Sequence, residues 1–414
     1  MAAMSSVRRR PRDRKAQIAR AAADAFGESG FHAVSMEDIA GRVGISAAAL
    51  YRHSPSKYHL FRDAVMALGG HLSDCTAFVD DAEDVDPVDL RDQILAALIE
   101  ATLANRGTGG LYRRQARYLN DDDQVELVDQ LKLVNRRLQV PLRQLRPDLS
   151  GRDRWTLSSA ALSVIGSISD HHTQLGAGQI RALLTSRTAD LLDVPLPPEN
   201  SHARAHERGP VAAGKYEAVL QQSLHLFHDR GYHQTSMEDI AGAVGMTASG
   251  IYRYFTGKSD ILAAAFRRVA DRVSADVSRI LAAEPDPVRA LSLLVDAYIA
   301  RSFENPELAQ VYHTERTNLP ASEKRVLRNI QRATVEAWAT LVAAVQPEYD
   351  VAEARCVVHA AFALVVDLGR LVGHQDSDDT RARVRSLVTT TLIGQSDTSI
   401  DIPDDDGIAV DLSA

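Results

Sequence analysis

The strongest constraint on this chain is that it is written twice. Ser35-Met36-Glu37-Asp38-Ile39-Ala40-Gly41-Arg42-Val43-Gly44 returns as Ser236-Met237-Glu238-Asp239-Ile240-Ala241-Gly242-Ala243-Val244-Gly245, changed only where Ala243 stands for Arg42. The same shift of 201 positions, from Ser35 to Ser236, also pairs Phe26 with Phe227, Gly30 with Gly231, Tyr51-Arg52 with Tyr252-Arg253 and Lys57 with Lys258. Further on the likeness is fainter, with a shift of 200 from Tyr112 to Tyr312. There Leu119 pairs with Leu319, and Ala160-Ala161 with Ala360-Ala361. Solenoid repeats recur every 20 to 50 residues or so, so a period this long means whole domains in duplicate. A length of 414 residues gives each copy enough chain for its own core.

The local pattern is helical. Leu90, Ile94, Leu95 and Leu98 in one copy, and Leu291, Leu294, Val295 and Tyr298 in the other, recur at three- and four-residue spacing. Asp86-Pro87 and Asp286-Pro287 read as an N-cap followed by proline in the first helical turn. No alternating run is long enough to read as a strand, so the expected fold class is all-α. Between the copies, Val194-Pro195-Leu196-Pro197-Pro198 and the polar residues after it read as a linker.

Within each repeat, two short helices joined by a tight turn are expected. Ser35 caps the first, with Asp38 three residues on in a capping-box position, and Gly44 ends it. Ser46 and Thr247 then cap the second helix in each copy. Ile39, Ala40, Val43, Ile45 and Leu50 hold the first pair together, as Ile240, Ala241, Val244, Met246 and Ile251 hold the second. Such a pair can lay its second helix in the major groove of DNA. Ala47, Ala48 and Ala49, or Ala248, Ser249 and Gly250, let the backbone come close to the duplex. Tyr51, Arg52, His53 and Lys57, with Tyr252, Arg253, Tyr254 and Lys258, supply donors to phosphates and bases. Ser35, Thr235 and Ser236 join the candidate DNA-binding set at the helix starts.

The net charge of −8 is acidic for a nucleic-acid binder, but positive charge is concentrated at Arg8, Arg9, Arg10, Arg12, Arg14 and Lys15. This arm is read either as a groove or phosphate contact or as a solvated tail. The acidic runs at 80–86, 121–123 and 401–406 are expected to be solvated. Cys75 and Cys356 lie in no metal or disulfide spacing, and His171, His172 and His374 form no ligand set, so no metal and no cofactor is expected. No glycine-rich phosphate loop, nucleophile elbow or zinc motif supports an enzyme. No apolar run reaches membrane-spanning length and no signal-peptide pattern precedes the first helix, so the expected setting is cytoplasmic, without membrane contact.

These residues closely resemble the TetR/AcrR family of bacterial regulators. The resemblance rests on Gly30-Phe31, Ser35 to Ala40, Val43-Gly44-Ile45-Ser46 and Leu50-Tyr51-Arg52-His53. In the second copy it rests on Gly231-Tyr232, Thr235 to Val244, and Ile251-Tyr252-Arg253-Tyr254-Phe255 with Lys258-Ser259. It covers about fifty residues per copy. It implies nine helices per unit: three on DNA, a long fourth that transmits ligand state, and a last pair that forms a dimer interface. One departure stands out, because Ser54 occupies the place held by Phe255 in the second copy. The first copy therefore lacks an apolar plug, and either Tyr58 fills the gap or the first head is looser.

The resulting domain reading is a helix-turn-helix domain at 1–55, a helical ligand and dimerisation domain at 56–193, a linker at 194–213, a second helix-turn-helix domain at 214–256, a second ligand domain at 257–395 and an acidic tail at 396–414. The expected function is a sequence-specific transcriptional regulator, a repressor released from its double-stranded DNA operator by a small-molecule effector. The two units form either an intramolecular pseudo-dimer reading an imperfect palindrome or an ordinary homodimer with four heads. Tyr112, Tyr118, Trp155, Tyr298, Tyr312, Trp338 and His359 are the candidate effector contacts, although each by itself is more often simple core.

Overall fold

The computed structural model describes residues 11–107, 110–199, 214–304 and 306–395. Arg8, Arg9 and Arg10 of the basic arm, most of the linker and the acidic tail lie outside the described residues. Among those residues the ordered segments are helices, with no strand.

The first unit runs α1 (Pro11–Ser29), α2 (Met36–Val43), α3 (Ala47–Tyr51), α4 (Lys57–Cys75), α5 (Pro87–Ala104), α6 (Gly110–Gln115), α7 (Asp121–Leu145), α8 (Gly151–Gly166) and α9 (Ala177–Asp193). The second repeats the order: α10 (Lys215–Asp229), α11 (Met237–Ala243), α12 (Ala248–Ile251), α13 (Lys258–Ala283), α14 (Pro287–Glu304), α15 (Pro306–Glu315), α16 (Ala321–Val345), α17 (Val351–Leu371) and α18 (Asp378–Ile393). The two units are tandem copies of one all-α architecture, each with a three-helix head and a helical body.

Helix starts follow local chemistry. Ser35 accepts the Asp38 N–H at 3.1 Å while the Asp38 carboxylate accepts the Ser35 N–H at 2.8 Å, a reciprocal box that recurs at Ser236 and Asp239. Asp86 caps α5 ahead of Pro87, and Ser150 and Asp350 cap α8 and α17. Gly30 and Gly231, at φ of +82° and +89°, turn the chain out of the first helix of each head, a conformation that a side chain would strain.

The fourth helices differ. In the second unit α13 runs 26 residues, whereas α4 stops after 19 and gives way to a 3-10 turn over Ala77–Asp81. The stop has a cause in Arg137, whose guanidinium donates to the Ser73 carbonyl, to Thr76 Oγ1 at 3.2 Å and to the Asp80 carboxylate at 3.0 Å. The Thr76 hydroxyl turns back onto the Leu72 carbonyl at 2.9 Å. The second unit has Ala337 in the place of Arg137, and nothing there folds the chain back.

Each head has its own apolar core. The first joins Phe26, Ile39, Leu50 and Phe61 to Leu111 and Leu127 of the body, and the second joins Phe227, Ile240, Ile251 and Phe266 to Val311 and Leu327. The two bodies, by contrast, share a single core. α8 lies along α17 and α9 along α18, so the last helix pair of each unit forms a four-helix layer between them. Polar clamps sit in this layer. Asp367 of α17 accepts Arg113 and, at 2.6 Å, Ser163 of the first unit, and Arg383 of α18 pairs with Asp153 of α8. The layer joins the two bodies through a continuous apolar core.

Candidate nucleic-acid interface and effector cavity

The second helix of each head is short, capped and presented outward. Ser46 accepts the Ala49 N–H at 3.2 Å and Thr247 the Gly250 N–H at 3.2 Å. One residue per helix, Leu50 or Ile251, anchors it in the core. Ala48 and Ser249 face solvent, and Ala47 and Ala248 are half-buried. At the end of each helix and just after it, Tyr51, Arg52 and His53, and Tyr252, Arg253 and Tyr254, are all exposed, with Tyr51 at 52% and Tyr252 at 53%. Large aromatic rings left in water beside an arginine form a surface with donors and stackable faces.

The lysines are placed differently from the free donors expected. Lys57 Nζ donates to the Phe31 carbonyl at 2.9 Å and lies 4.4 Å from the Phe31 ring centre. Lys258 Nζ donates to the carbonyls of Tyr232 at 2.7 Å and Thr235 at 2.6 Å. Burial pushes both ammonium groups below the ordinary lysine range. Each lysine thus ties the fourth helix of its unit to the turn after the first. Thr235, expected near DNA, is 1% exposed, and its hydroxyl is bonded to the Gly231 carbonyl at 2.9 Å, so it tightens that turn from inside. Ser35 and Ser236 spend their hydroxyls in the capping boxes.

The Ser54 difference has a structural counterpart. Phe255 is 3% exposed and stacks on Tyr216 at 4.8 Å, whereas Lys15 occupies the Tyr216 position in the first copy. Ser54 is buried and donates to the Ser56 carbonyl at 3.2 Å. Tyr58 packs against the first head, but its hydroxyl is turned to α7, where it donates to Asp123 and accepts the Asn120 N–H at 2.8 Å.

A cavity of about 470 Å³ opens in the second unit between head and body. Leu220 and Leu224 of α10 form its head wall, Val269 and Val273 of α13 one side, and Tyr298, Tyr312 and Phe362 an aromatic side. Arg268, Arg272 and Arg301 stand at its edge. Of the seven residues expected to meet an effector, Tyr298 and Tyr312 line this cavity. Trp338 is core, 1% exposed and edge-on to Phe362 at 5.0 Å. Tyr112 lies beside Arg113 in the first body, and Trp155 is half-buried on α8. His359 stacks on His171 at 4.6 Å across the shared core.

A junction between the units, missed in the sequence, lies under the heads. Glu315, whose side chain is fully buried at the end of α15, accepts Arg117 Nη1 at 2.9 Å and the Tyr118 hydroxyl at 3.2 Å, both from the first unit. Arg117 also donates to the His228 carbonyl of the second head at 2.9 Å. The His32 and His233 rings, equivalent in the two copies, meet at 4.0 Å. One signal was available in the repeat: the position is Gln115 in one copy and Glu315 in the other.

The sequence model described as "Bacterial regulatory proteins, tetR family" matches residues 18–64 and again 219–265, the two heads. Both heads of the chain thus match the TetR-family sequence pattern, in tandem. Two curated relatives resemble parts of it. The HTH-type transcriptional activator FasR of Mycolicibacterium smegmatis is 44% identical over 54 residues, 13% of this chain and 25% of FasR. The HTH-type transcriptional repressor ComR of Escherichia coli is 32% identical over 93 residues, 22% of this chain and 43% of ComR. The matches thus span less than half of either relative. Among solved structures, the fatty acid degradation regulator FadR of Bacillus halodurans matches 45% of this chain and 98% of its own, at 21% identity and a TM-score of 0.38. PfmR of Thermus thermophilus, a TetR-family regulator, matches 43% of this chain and 98% of its own, at 21% identity and a TM-score of 0.39. Among the described residues, no helix is long and apolar enough to cross a membrane, and no group of three metal-ligating side chains gathers.

Proposed function

We propose that this TetR-family chain is a transcriptional repressor that lays both heads on one operator as a single chain, and leaves it when a small molecule enters the cavity of the second unit. The observation that carries the reading is the pair of outward, hydroxyl-capped helices followed by exposed Tyr-Arg, held by one shared body core. Helix-turn-helix dimers place two such helices on successive major-groove faces about 34 Å apart. Here the four-helix layer joins two units of the same chain, so assembly needs no second molecule, and the tether gives an effective concentration of order millimolar.

Ala48 and His53 stand where Ser249 and Tyr254 stand in the second head, so the two half-sites differ and the operator is an imperfect palindrome. The cavity supports ligand release because its walls come from both head and body. A molecule between α10 and α13 has differential contacts with the two relative positions of these helices.

The test is to select binding sites from random duplexes with the full chain, then to footprint the winner and weigh the complex by native mass spectrometry. One chain on one asymmetric site is expected. Two chains on a strictly symmetric site would establish the four-headed homodimer instead, and no salt-dependent DNA affinity would end the regulator reading.

A further inference from the structure

Resting on the effector reading above, we infer that each chain binds one effector, not two: the second unit holds an apolar molecule with a single anionic group, and the first unit's equivalent site is closed by its own side chains. Four aligned positions show the difference. Val269, Val273, Tyr298 and Ser302 are only partly buried where they line the cavity. Their counterparts Leu68, Leu72, Leu98 and Thr102 are all buried, at 6%, 8%, 0% and 2% exposure. Equivalent walls that enclose a space in one unit touch one another in the other.

Two glycines account for the closure. Gly69 stands where the second unit has Ala270, and a Cβ there would fall 2.3 Å from Gln130 Oε1 and 3.2 Å from Leu127 Cδ1. The missing methyl lets Gln130 of α7 lie against α4. Gly166 stands where the second unit has Val366, and the Arg113 guanidinium lies 2.6 Å from where its Cβ would be. That guanidinium, 7% exposed, is held by Asp170 at 3.1 Å and by Asp367 of the other unit. A buried arginine paired with two carboxylates is costly to displace, because its departure would strand them. In the second unit Ala270 and Val366 both border the cavity, and no arginine from α15 fills it.

The ligand class follows from the lining. Its walls are mainly aliphatic and aromatic, and 470 Å³ lies in the usual range for small-molecule sites. At the edge are three arginines and one glutamate, Glu217. Arg268 is paired with Glu217, and Arg301 with Asp276 at 3.0 Å. Arg272, exposed, makes no ion pair among the described residues, and its guanidinium is the free cation for a carboxylate or phosphate group.

The experiment titrates the full chain with dodecanoate, and separately with dodecanol, by native mass spectrometry and calorimetry. Operator binding is measured on the same preparation. One equivalent of dodecanoate is expected, bound at least tenfold more tightly than dodecanol. Ala270→Leu, which fills the cavity, should abolish it while leaving operator binding intact. Two equivalents would overturn the closure of the first unit while the effector reading stood. Equal affinity for dodecanol would overturn the anionic end, and binding of neither probe would overturn the ligand class. Binding that survived Ala270→Leu would overturn the site. Absence of operator affinity in the ligand-free, unmodified chain would count against the regulator reading alone, since dodecanoate stoichiometry is read without DNA.

Discussion

Glu315 of the second unit and Arg117 of the first meet at 2.9 Å in a site where the glutamate is wholly shielded from water. The relationship matters because α15, which ends at Glu315, also carries Tyr312 of the cavity wall. Arg117 meanwhile reaches the second head through the His228 carbonyl. Cavity, head and neighbouring unit therefore share one helix end. Burial raises the Glu315 carboxyl above its ordinary range, and Arg117 and the hydrogen bonds from Tyr118 and Asn318 oppose that rise.

Arg117→Ala leaves that carboxylate buried without its cation. A fully buried pair broken on one side costs about 3–5 kcal/mol, and since Arg117 is 24% exposed the expected loss is smaller, about 2–3 kcal/mol. Adding Glu315→Gln should recover most of it. Gln115 already fills the equivalent place in the first unit, where its side-chain oxygen accepts the Phe31 N–H at 3.1 Å. Urea unfolding of the single and double variants measures this. A double variant no more stable than Arg117→Ala would show that the charge pairing is not what the junction contributes.

Tyr51-Arg52 and Tyr252-Arg253 are predicted to act on DNA independently. Replacing either pair with alanines should weaken operator binding about 10- to 100-fold and flatten its salt dependence, because an arginine contact to phosphate is lost. Gel-shift titrations at three salt concentrations read both quantities. If the first pair can be removed at no loss, that head serves protein pairing only.

The caps of the recognition helices should be worth about 1 kcal/mol each. Ser46→Ala and Thr247→Ala free the Ala49 and Gly250 N–H groups. Helices of five and four residues have little else to hold their first turn. Thermal unfolding should fall slightly and operator affinity more, because the capped turn is the part presented to the groove. Equal losses in the two measurements would mean that the caps serve stability alone.

Much of this architecture was legible in the sequence, for local reasons. The capping boxes, the left-handed glycines and the Tyr-Arg pairs depend on residues within a few positions of one another, and the repeat showed each twice. The seam between the units was legible only through family resemblance, since α8 and α17 carry apolar stripes that would suit many neighbours. Lys57 and Lys258 read in the sequence as donors to DNA, because spacing does not tell that a carbonyl 26 residues away takes the ammonium. The one-sided cavity depends on Gly69 against Ala270 and Gly166 against Val366, differences of one methyl and one isopropyl group. Their meaning appears only once α7 and Arg113 are seen to close on them.

Acidification should loosen the shared core. His171 and His359 stack at 4.6 Å, and burial holds His171 well below the ordinary imidazole range and His359 down to about 4. Arg106 and His172 further disfavour the charged form of His171, while Glu336 partly favours that of His359. Both folded-state values are depressed, so the unfolded chain takes up protons first. Stability is full above about pH 6.5 and is lost as pH falls from there toward 4. Melting temperatures between pH 7.5 and 4.5 should drop, and His359→Gln should reduce the slope. An unchanged slope in that variant would assign the acid sensitivity to other groups.

The aromatic plug belongs to the second head alone. Phe255 is 3% exposed and stacks on Tyr216, so Phe255→Ser removes most of a buried ring and should cost about 3–5 kcal/mol. The reverse change, Ser54→Phe, should not stabilise the first head, because Lys15 stands where Tyr216 would receive the ring, and an added ring in a closed site strains its neighbours. Only with Lys15→Tyr added should Ser54→Phe become neutral or favourable. Calorimetric melting of the three variants decides it. A gain from Ser54→Phe alone would show that the first head has room for a ring without its partner.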